Sequence, residues 1–391
     1  MIRMCLAGPP IETRARMGIK DALQSNAALL CVVIIVQFGL FETGLRLKGG
    51  TEATPEFQRL FTSDPRLSYR LRPGATARFK TADFDTQIEI NAIGVRDREV
   101  GPKRAGERRI VVLGDSLVMA VQVPLDDTFP ARLERLLNDG AAPPVSYRVV
   151  NSGVQGYGPV EEYLFHRYVT SLVDPDLVIL ALYVGNDALE AAGSEARLGP
   201  VQRDAQSPRP GPGDLFAQWR RRVVRRSMVL QVARLRVTSI LYRFGWGHEI
   251  DPPLRAYLPE SSPDITKGLG VTRDAVARLA SLASSQRAHL VVLLLPARFQ
   301  VDDGDFQRLR DSVAQSGKTL ERDLATQRFK RALEGLDVPV LDALPPLRAA
   351  ARHADVFMQS TAHLTPFGHE TLAKVLERYL RDTGFPDGHE R

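Results

Sequence analysis

Four short blocks carry side chains that could act together. They are "GDSL" at 114–117, "NSGVQGYG" at 151–158, "YVGND" at 183–187 and "HLTPFGH" at 363–369. Acyl transfer needs a nucleophile, a base and hydrogen-bond donors aimed at a developing oxyanion. Ser116 supplies a hydroxyl nucleophile and His363 an imidazole base. The backbone N–H of Gly153 can approach closely for lack of a side chain. Asn186 offers a side-chain amide, which with the Ser116 N–H makes a set of donors. A helix starting behind Ser116 would add a positive dipole end. Asp115 and Asp187 read as organisers of their turns, and His369 as a packing or capping residue.

Each block alone is common by chance, so the elements that hold them matter. Apolar runs at Ile110–Leu113, Tyr147–Val150, Leu177–Tyr183, Ala288–Leu295 and Val338–Leu341 read as strands. Helical patterns fall between them at Thr128–Asn138, Val160–Leu172, Val271–Arg287, Phe306–Leu336 and Pro366–Arg381. Near-continuous apolar strands alternating with helices predict a parallel sheet covered on both faces. Ligands in such sheets sit at the carboxyl ends of the strands. The first three blocks each follow a strand, so they reach one edge, and the fourth precedes the last helix.

With these blocks in this order, the chain resembles the SGNH/GDSL hydrolase superfamily over roughly residues 105–382. The preceding "INAIGVRD" segment at 90–97 is similar to membrane-anchored bacterial members. The resemblance implies a three-layer α/β/α flavodoxin-like sandwich. It implies Ser116 as nucleophile, Gly153 and Asn186 as oxyanion donors and His363 as base. Members are esterases, lipases, thioesterases and carbohydrate esterases, and related domains act in O-acetylation of envelope polysaccharides. One position departs from the pattern. The family places an aspartate two or three residues before the histidine, where this chain has Thr361 and Ser360. That acid fixes the imidazole tautomer and stabilises the imidazolium. Three outcomes stay open. A Ser–His dyad can suffice, oriented by a backbone carbonyl or by the Ser360 or Thr361 hydroxyl. Asp355 can fold in as the acid. Or the site has become a binding pocket.

The expected chemistry is therefore an acyl-enzyme esterase acting on an ester-bearing small molecule, lipid or glycan. The alternatives are an O-acetyltransferase acting on an exported polysaccharide and an inactive envelope binding protein. No cofactor is called for. His166, His248, His289 and His353 are scattered without ligand spacing, and both cysteines, Cys5 and Cys31, lie near the start, so no metal is expected. The chain of 391 residues is 44% hydrophobic and 25% charged, with a net charge of +6. It contains no zinc-finger spacing, no RNA-binding aromatic pair and no basic region leading into heptads, which argues against nucleic acid.

The run "AALLCVVIIVQFGLF" at 27–41 follows Arg14, Arg16 and Lys20. Its length lies between a signal-peptide core and a spanning helix of about 20 residues. The basic flank predicts a cytoplasmic N-terminus. The expected organisation is a cytoplasmic segment at 1–26, a transmembrane signal anchor at 27–45 and a tether at 46–63. A small β appendage at 64–104 leads into the hydrolase domain at 105–385, which would face the periplasm or exterior. An insertion at about 190–262 carries an arginine-rich amphipathic stretch at 220–243, read as a solvated basic face or as a contact with an anionic membrane surface or an anionic substrate.

Overall fold

The computed structural model describes residues 36–37 and 55–385, apart from 82, 142–143, 199–249 and 261. The expected anchor at 27–45, all but two of its residues, and the arginine-rich stretch at 220–243 lie outside the described residues. Among the described residues, no helix is long and apolar enough to cross a membrane.

A five-stranded sheet organises the chain. Its strands are β5 (Glu107–Gly114), β6 (Ser146–Gly153), β7 (Leu177–Tyr183), β8 (His289–Leu295) and β9 (Val340–Asp342). All pairings are parallel and the order across the sheet is β6-β5-β7-β8-β9. Alternate strand residues feed two cores. Val111, Leu113, Val178, Leu180, Val292 and Leu294 pack on one face, and Ile110, Val112, Ile179, Ala181, Val291 and Leu293 on the other. The first face is covered by α4 (Pro159–Tyr168), α5 (Asp187–Ser194), α6 (Pro263–Ser285) and α9 (Leu324–Leu333). The second is covered by α3 (Phe129–Asp139), α10 (Leu344–Ala350) and α11 (Pro366–Asp382). This is the three-layer, doubly wound arrangement expected from the strand pattern, with helices on both sides of a parallel sheet. The winding reverses between β5 and β7, which opens a crevice beyond their carboxyl ends.

Some boundaries differ from expectation. The helix expected from Val271 begins at Pro263. Gly268 and Gly270 look like helix breakers in the sequence, yet Gly268 marks where α6 crosses α5. A Cβ there would collide with the Ala188 carbonyl. The helix expected over Phe306–Leu336 divides into α8 (Asp303–Ala314) and α9, with the chain turning at Gly317, φ 72°.

Two antiparallel hairpins precede the sheet: β1 (Phe61–Asp64) with β2 (Ser68–Leu71), and β3 (Thr76–Lys80) with β4 (Asp85–Glu89). The expected tether at 46–63 is corrected in its last part. Residues 55–63 include a helical turn, α1 (Pro55–Gln58), and the start of β1. Phe57 and Leu60 are buried there because Phe57 stacks on Phe79 of β3, with ring centroids 4.9 Å apart. The appendage joins the core of the first sheet face rather than forming its own, since Leu71, Phe79 and Ile88 belong to that same cluster.

Candidate active site

At the head of β5, the Asp115 side chain accepts a hydrogen bond from the Leu117 N–H at 2.8 Å. This caps α2 (Ser116–Met119) and presents Ser116 at the sheet edge. The helix expected behind Ser116 is only this single turn. It ends at Ala120 in the left-handed region, φ 51°.

His363 comes to the same place from the other end of the chain. Its Nε2 lies 3.0 Å from Ser116 Oγ. The loop carrying it is closed by a bridge between Phe357 and Leu364 and by a bond from the Met358 N–H to the His363 carbonyl at 2.8 Å. The Thr365 hydroxyl donates to the Asp355 carbonyl at 2.6 Å. Arg298, on α7 (Arg298–Val301), donates from Nη1 to the Met358 and Gln359 carbonyls at 3.0 and 2.8 Å.

The far side of the imidazole is bare. His363 Nδ1 is buried and has no hydrogen-bond partner. Burial alone pulls its pKa down to about 4, with no carboxylate opposing the shift. None of the expected orienting groups engages it. Asp355 is exposed at the start of the loop, where its carboxylate accepts from Gln359 Nε2 at 3.4 Å. Ser360 is exposed, and the Thr361 hydroxyl is itself buried without a partner. The ring is held by its loop and its bond to Ser116.

Both expected donors are already engaged. The Gly153 N–H donates to Asn151 Oδ1 at 3.1 Å, inside β6. The requirement for glycine there is steric, because a Cβ would collide with the Met119 backbone nitrogen. Gly156, exposed at φ 74°, stands beyond the end of β6 in the turn that follows. Asn186 precedes α5 and donates from Nδ2 to Glu190 Oε1 at 2.8 Å. An amide nitrogen carries two hydrogens, so this bond orients the group and leaves the second N–H for a ligand.

Sequence reasoning missed what stands behind these residues. Asp115, Glu161, Glu162 and Asp187 are buried and Glu190 is half-buried, close enough for several of their charges to interact. Burial first, and repulsion from neighbouring carboxylates second, raise the pKa values of three of them: Glu190 to about 8, and Glu162 and Asp187 well above the carboxylate range. Burial alone lifts Asp115 to about 6 against the backbone N–H groups that hold it down. Both Glu162 oxygens and Asp187 Oδ1 lack partners. Glu162, Asp187 and Glu190 are therefore largely protonated at neutral pH, whereas Asp115 is largely ionised. Asp187 also accepts from the Tyr183 N–H at 2.7 Å, the turn-organising part expected of it. The adjacent glutamates at 161 and 162 stand in the first turn of α4. Only the docking of α4 against α5 turns them inward.

His369 caps α3, accepting from the Phe129 N–H at 3.2 Å and stacking on that ring. His166 is buried between Thr170 and Gln286. Among the described residues, no cluster of His, Cys, Asp or Glu could hold a metal ion. A cleft of about 500 Å³ runs along the histidine loop, with Tyr183, Gly185, Tyr257, Arg298, Thr361 and Ala362 in its walls; neither Ser116 nor His363 lines it.

No family model and no curated protein matches the chain. Solved structures do. The chain is similar to Axe2, an acetylxylan esterase from Geobacillus stearothermophilus, at 13% identity and a TM-score of 0.37, covering 75% of this chain and 100% of that one. TesA matches at 13% identity and a TM-score of 0.34, over 70% of this chain and 99% of its own. A G-D-S-L family protein from Desulfitobacterium hafniense matches at 12% and 0.34, over 69% and 98%. At so low an identity and TM-score, the chemistry is drawn from this chain's own side chains.

Proposed function

We propose that this chain is a serine-dependent ester hydrolase of the SGNH/GDSL kind, working through a Ser–His dyad. The observation that carries the reading is the 3.0 Å approach of Ser116 Oγ to His363 Nε2, at the switch point of a doubly wound sheet. Ser116 Oγ attacks the ester carbonyl while Nε2 accepts its proton. The tetrahedral oxyanion is held by the Ser116 N–H and the second Asn186 amide hydrogen. In place of the engaged Gly153 N–H, the turn around Gly156 supplies the remaining donor. His363 then returns the proton to the departing alcohol, leaving an acyl ester on Ser116. Water attacks that ester with Nε2 again as base, releasing the acid and the free serine.

Burial keeps His363 neutral, as a base must be. With no carboxylate at Nδ1, the imidazolium formed in each step is less stabilised, so turnover is slow relative to a full triad. Protonation of Glu162, Asp187 and Glu190 limits the negative charge near the oxyanion. The cleft on the His363 side receives the alcohol, because the proton is delivered there. A hydroxyl-bearing acceptor seated in that cleft could replace water, which favours O-acetyl transfer as the second reading. The bare Nδ1 favours the inactive binding protein as the third. The N-terminal run at 27–45 anchors the domain outside the cytoplasmic membrane in this proposal.

A chromogenic short-chain ester, with Ser116→Ala as control, tests the reading. Turnover by the native chain with loss in the alanine variant supports it. Equal turnover by both removes Ser116 from the mechanism, and no turnover or fluorophosphonate labelling by either leaves the binding protein. Acyl transfer to an added oligosaccharide in preference to water would select the transferase.

A further inference from the structure

Arg96 is 1% exposed, among the most completely buried large side chains of the described residues. Its guanidinium faces main-chain carbonyls rather than a carboxylate. Nη1 donates to the Met119 and Ala120 carbonyls at 2.7 and 2.5 Å, and Nη2 to the Val123 carbonyl at 2.7 Å. The Met119 and Ala120 carbonyls end the single turn that begins at Ser116, where an α-helix leaves its acceptors unsatisfied, and Val123 lies just beyond it. Two further side chains complete the grip. Asn151 Nδ2 donates to the Val118 carbonyl at 2.9 Å, and the Thr86 hydroxyl to the Val121 carbonyl at 2.5 Å. The carbonyls of 118–121 are thus each held from another element, β4, β6 or the turn after β4.

The neighbouring residue acts on the second block. Asp97 is 7% exposed and accepts the Asn151 N–H at 2.6 Å and Arg148 Nη2 at 2.8 Å. Asn151 in turn accepts the Gly153 N–H and donates to Val118. One turn, 96–97, therefore grips both the segment behind the nucleophile and the strand that leads to the donor loop. Burying a guanidinium away from a carboxylate partner is costly. A one-turn helix closed by a non-glycine residue at φ 51° has little intrinsic stability to fix Ser116.

We infer that the Arg96–Asp97 turn of the β appendage is the positioning device of the site, with Arg96 setting where the Ser116 hydroxyl stands relative to His363 and Asp97 tying β6 to it. The inference deepens the hydrolase reading and rests on Ser116 being the reacting hydroxyl. The appendage is then part of the catalytic apparatus, and its removal disables the sheet domain even where that domain stays folded.

The test compares Arg96→Met, Arg96→Lys and Asp97→Asn with Leu279→Ala, a core variant on α6 remote from the site. Two readouts are taken on the full chain: the rate of Ser116 labelling by a fluorophosphonate, and amide hydrogen exchange over 116–123. Arg96→Met should label about 30-fold more slowly, as expected for a misplaced nucleophile. KM for a chromogenic ester should stay within about twofold, since the substrate groups are untouched. Arg96→Lys, which can still reach some of the carbonyls, should recover part of the rate. Exchange over 116–123 should quicken in the Arg96 variants and stay native in Leu279→Ala at a matched loss of Tm. Equal labelling and equal exchange in Arg96→Met and Leu279→Ala would overturn the inference. If the native chain does not label, the hydrolase reading falls. The exchange comparison then still decides whether the turn restrains the 116–123 segment.

Discussion

Asn186 Nδ2 donates to Glu190 Oε1 at 2.8 Å, from the residue before α5 to one on its first turn. The pair joins the donor side of the site to a carboxyl whose pKa burial, then the charge of Asp115, lifts to about 8. Below that value Glu190 is neutral, and the Asn186 amide proposed as an oxyanion donor stands beside an uncharged group. Above it, a negative charge adjoins that amide.

The pH profile should therefore be a bell. Activity rises as pH climbs through about 4, where His363 loses its proton and becomes a base. It falls as pH passes about 8, where Glu190 ionises. Glu190→Gln should erase the alkaline limb in kcat/KM and leave the acid limb in place. Retention of the alkaline limb in that variant would assign it elsewhere.

The same carboxyl makes a stability prediction. Glu190 has an ordinary value of 4.5 and a folded value of about 8, so between these the folded chain holds a proton that the unfolded chain has lost. Its contribution is fully present below 4.5 and is lost as pH rises through about 8. Across that window the native chain should weaken by about 1.4 kcal/mol per pH unit from this group. Urea midpoints at stepped pH measure it, and Glu190→Gln should flatten the slope.

An acid supplied to the bare Nδ1 should help. Thr361→Asp, or Ser360→Asp, places a carboxylate where the dyad has none and should raise kcat about tenfold or more, given what a triad acid contributes elsewhere. The acid limb should shift upward from about 4 at the same time, because a nearby carboxylate favours the imidazolium. A higher acid limb without faster turnover would show that imidazolium stability does not limit the rate.

Gly153→Ala should act through packing. The new methyl would press on the Met119 nitrogen and displace α2. The expected cost is about 1–3 kcal/mol, typical of overpacking, read as a lower Tm with reduced kcat. Gly156→Ala, at φ 74° and with its new methyl against the Tyr69 hydroxyl, should strain the turn after β6 and lower kcat along with Tm.

Arg298→Met should loosen the histidine loop. It removes the bonds to the Met358 and Gln359 carbonyls and the ion pair with Asp305. A fall of about tenfold in kcat is expected from the displaced base. KM should rise as well, because Arg298 forms a wall of the cleft.

The sequence by itself determined the strands, the layer arrangement, and the two side chains that meet. Apolar runs such as Ile110–Leu113 and Leu177–Tyr183 are local signals, and a strand followed by Gly-Asp-Ser or Gly-Asn-Asp puts those residues at one edge whatever the details. Tertiary structure decided the rest. A hydrogen bond is a matter of ångströms and angles between segments that the sequence separates. The occupied Gly153 N–H, the empty Nδ1 of His363 and the half-used amide of Asn186 therefore carried no local signature. Glu162 and Glu190 differ from surface acids only in what α4 and α5 press against. Arg96 is one arginine among many until the folding of the appendage brings it beneath the nucleophile's own turn.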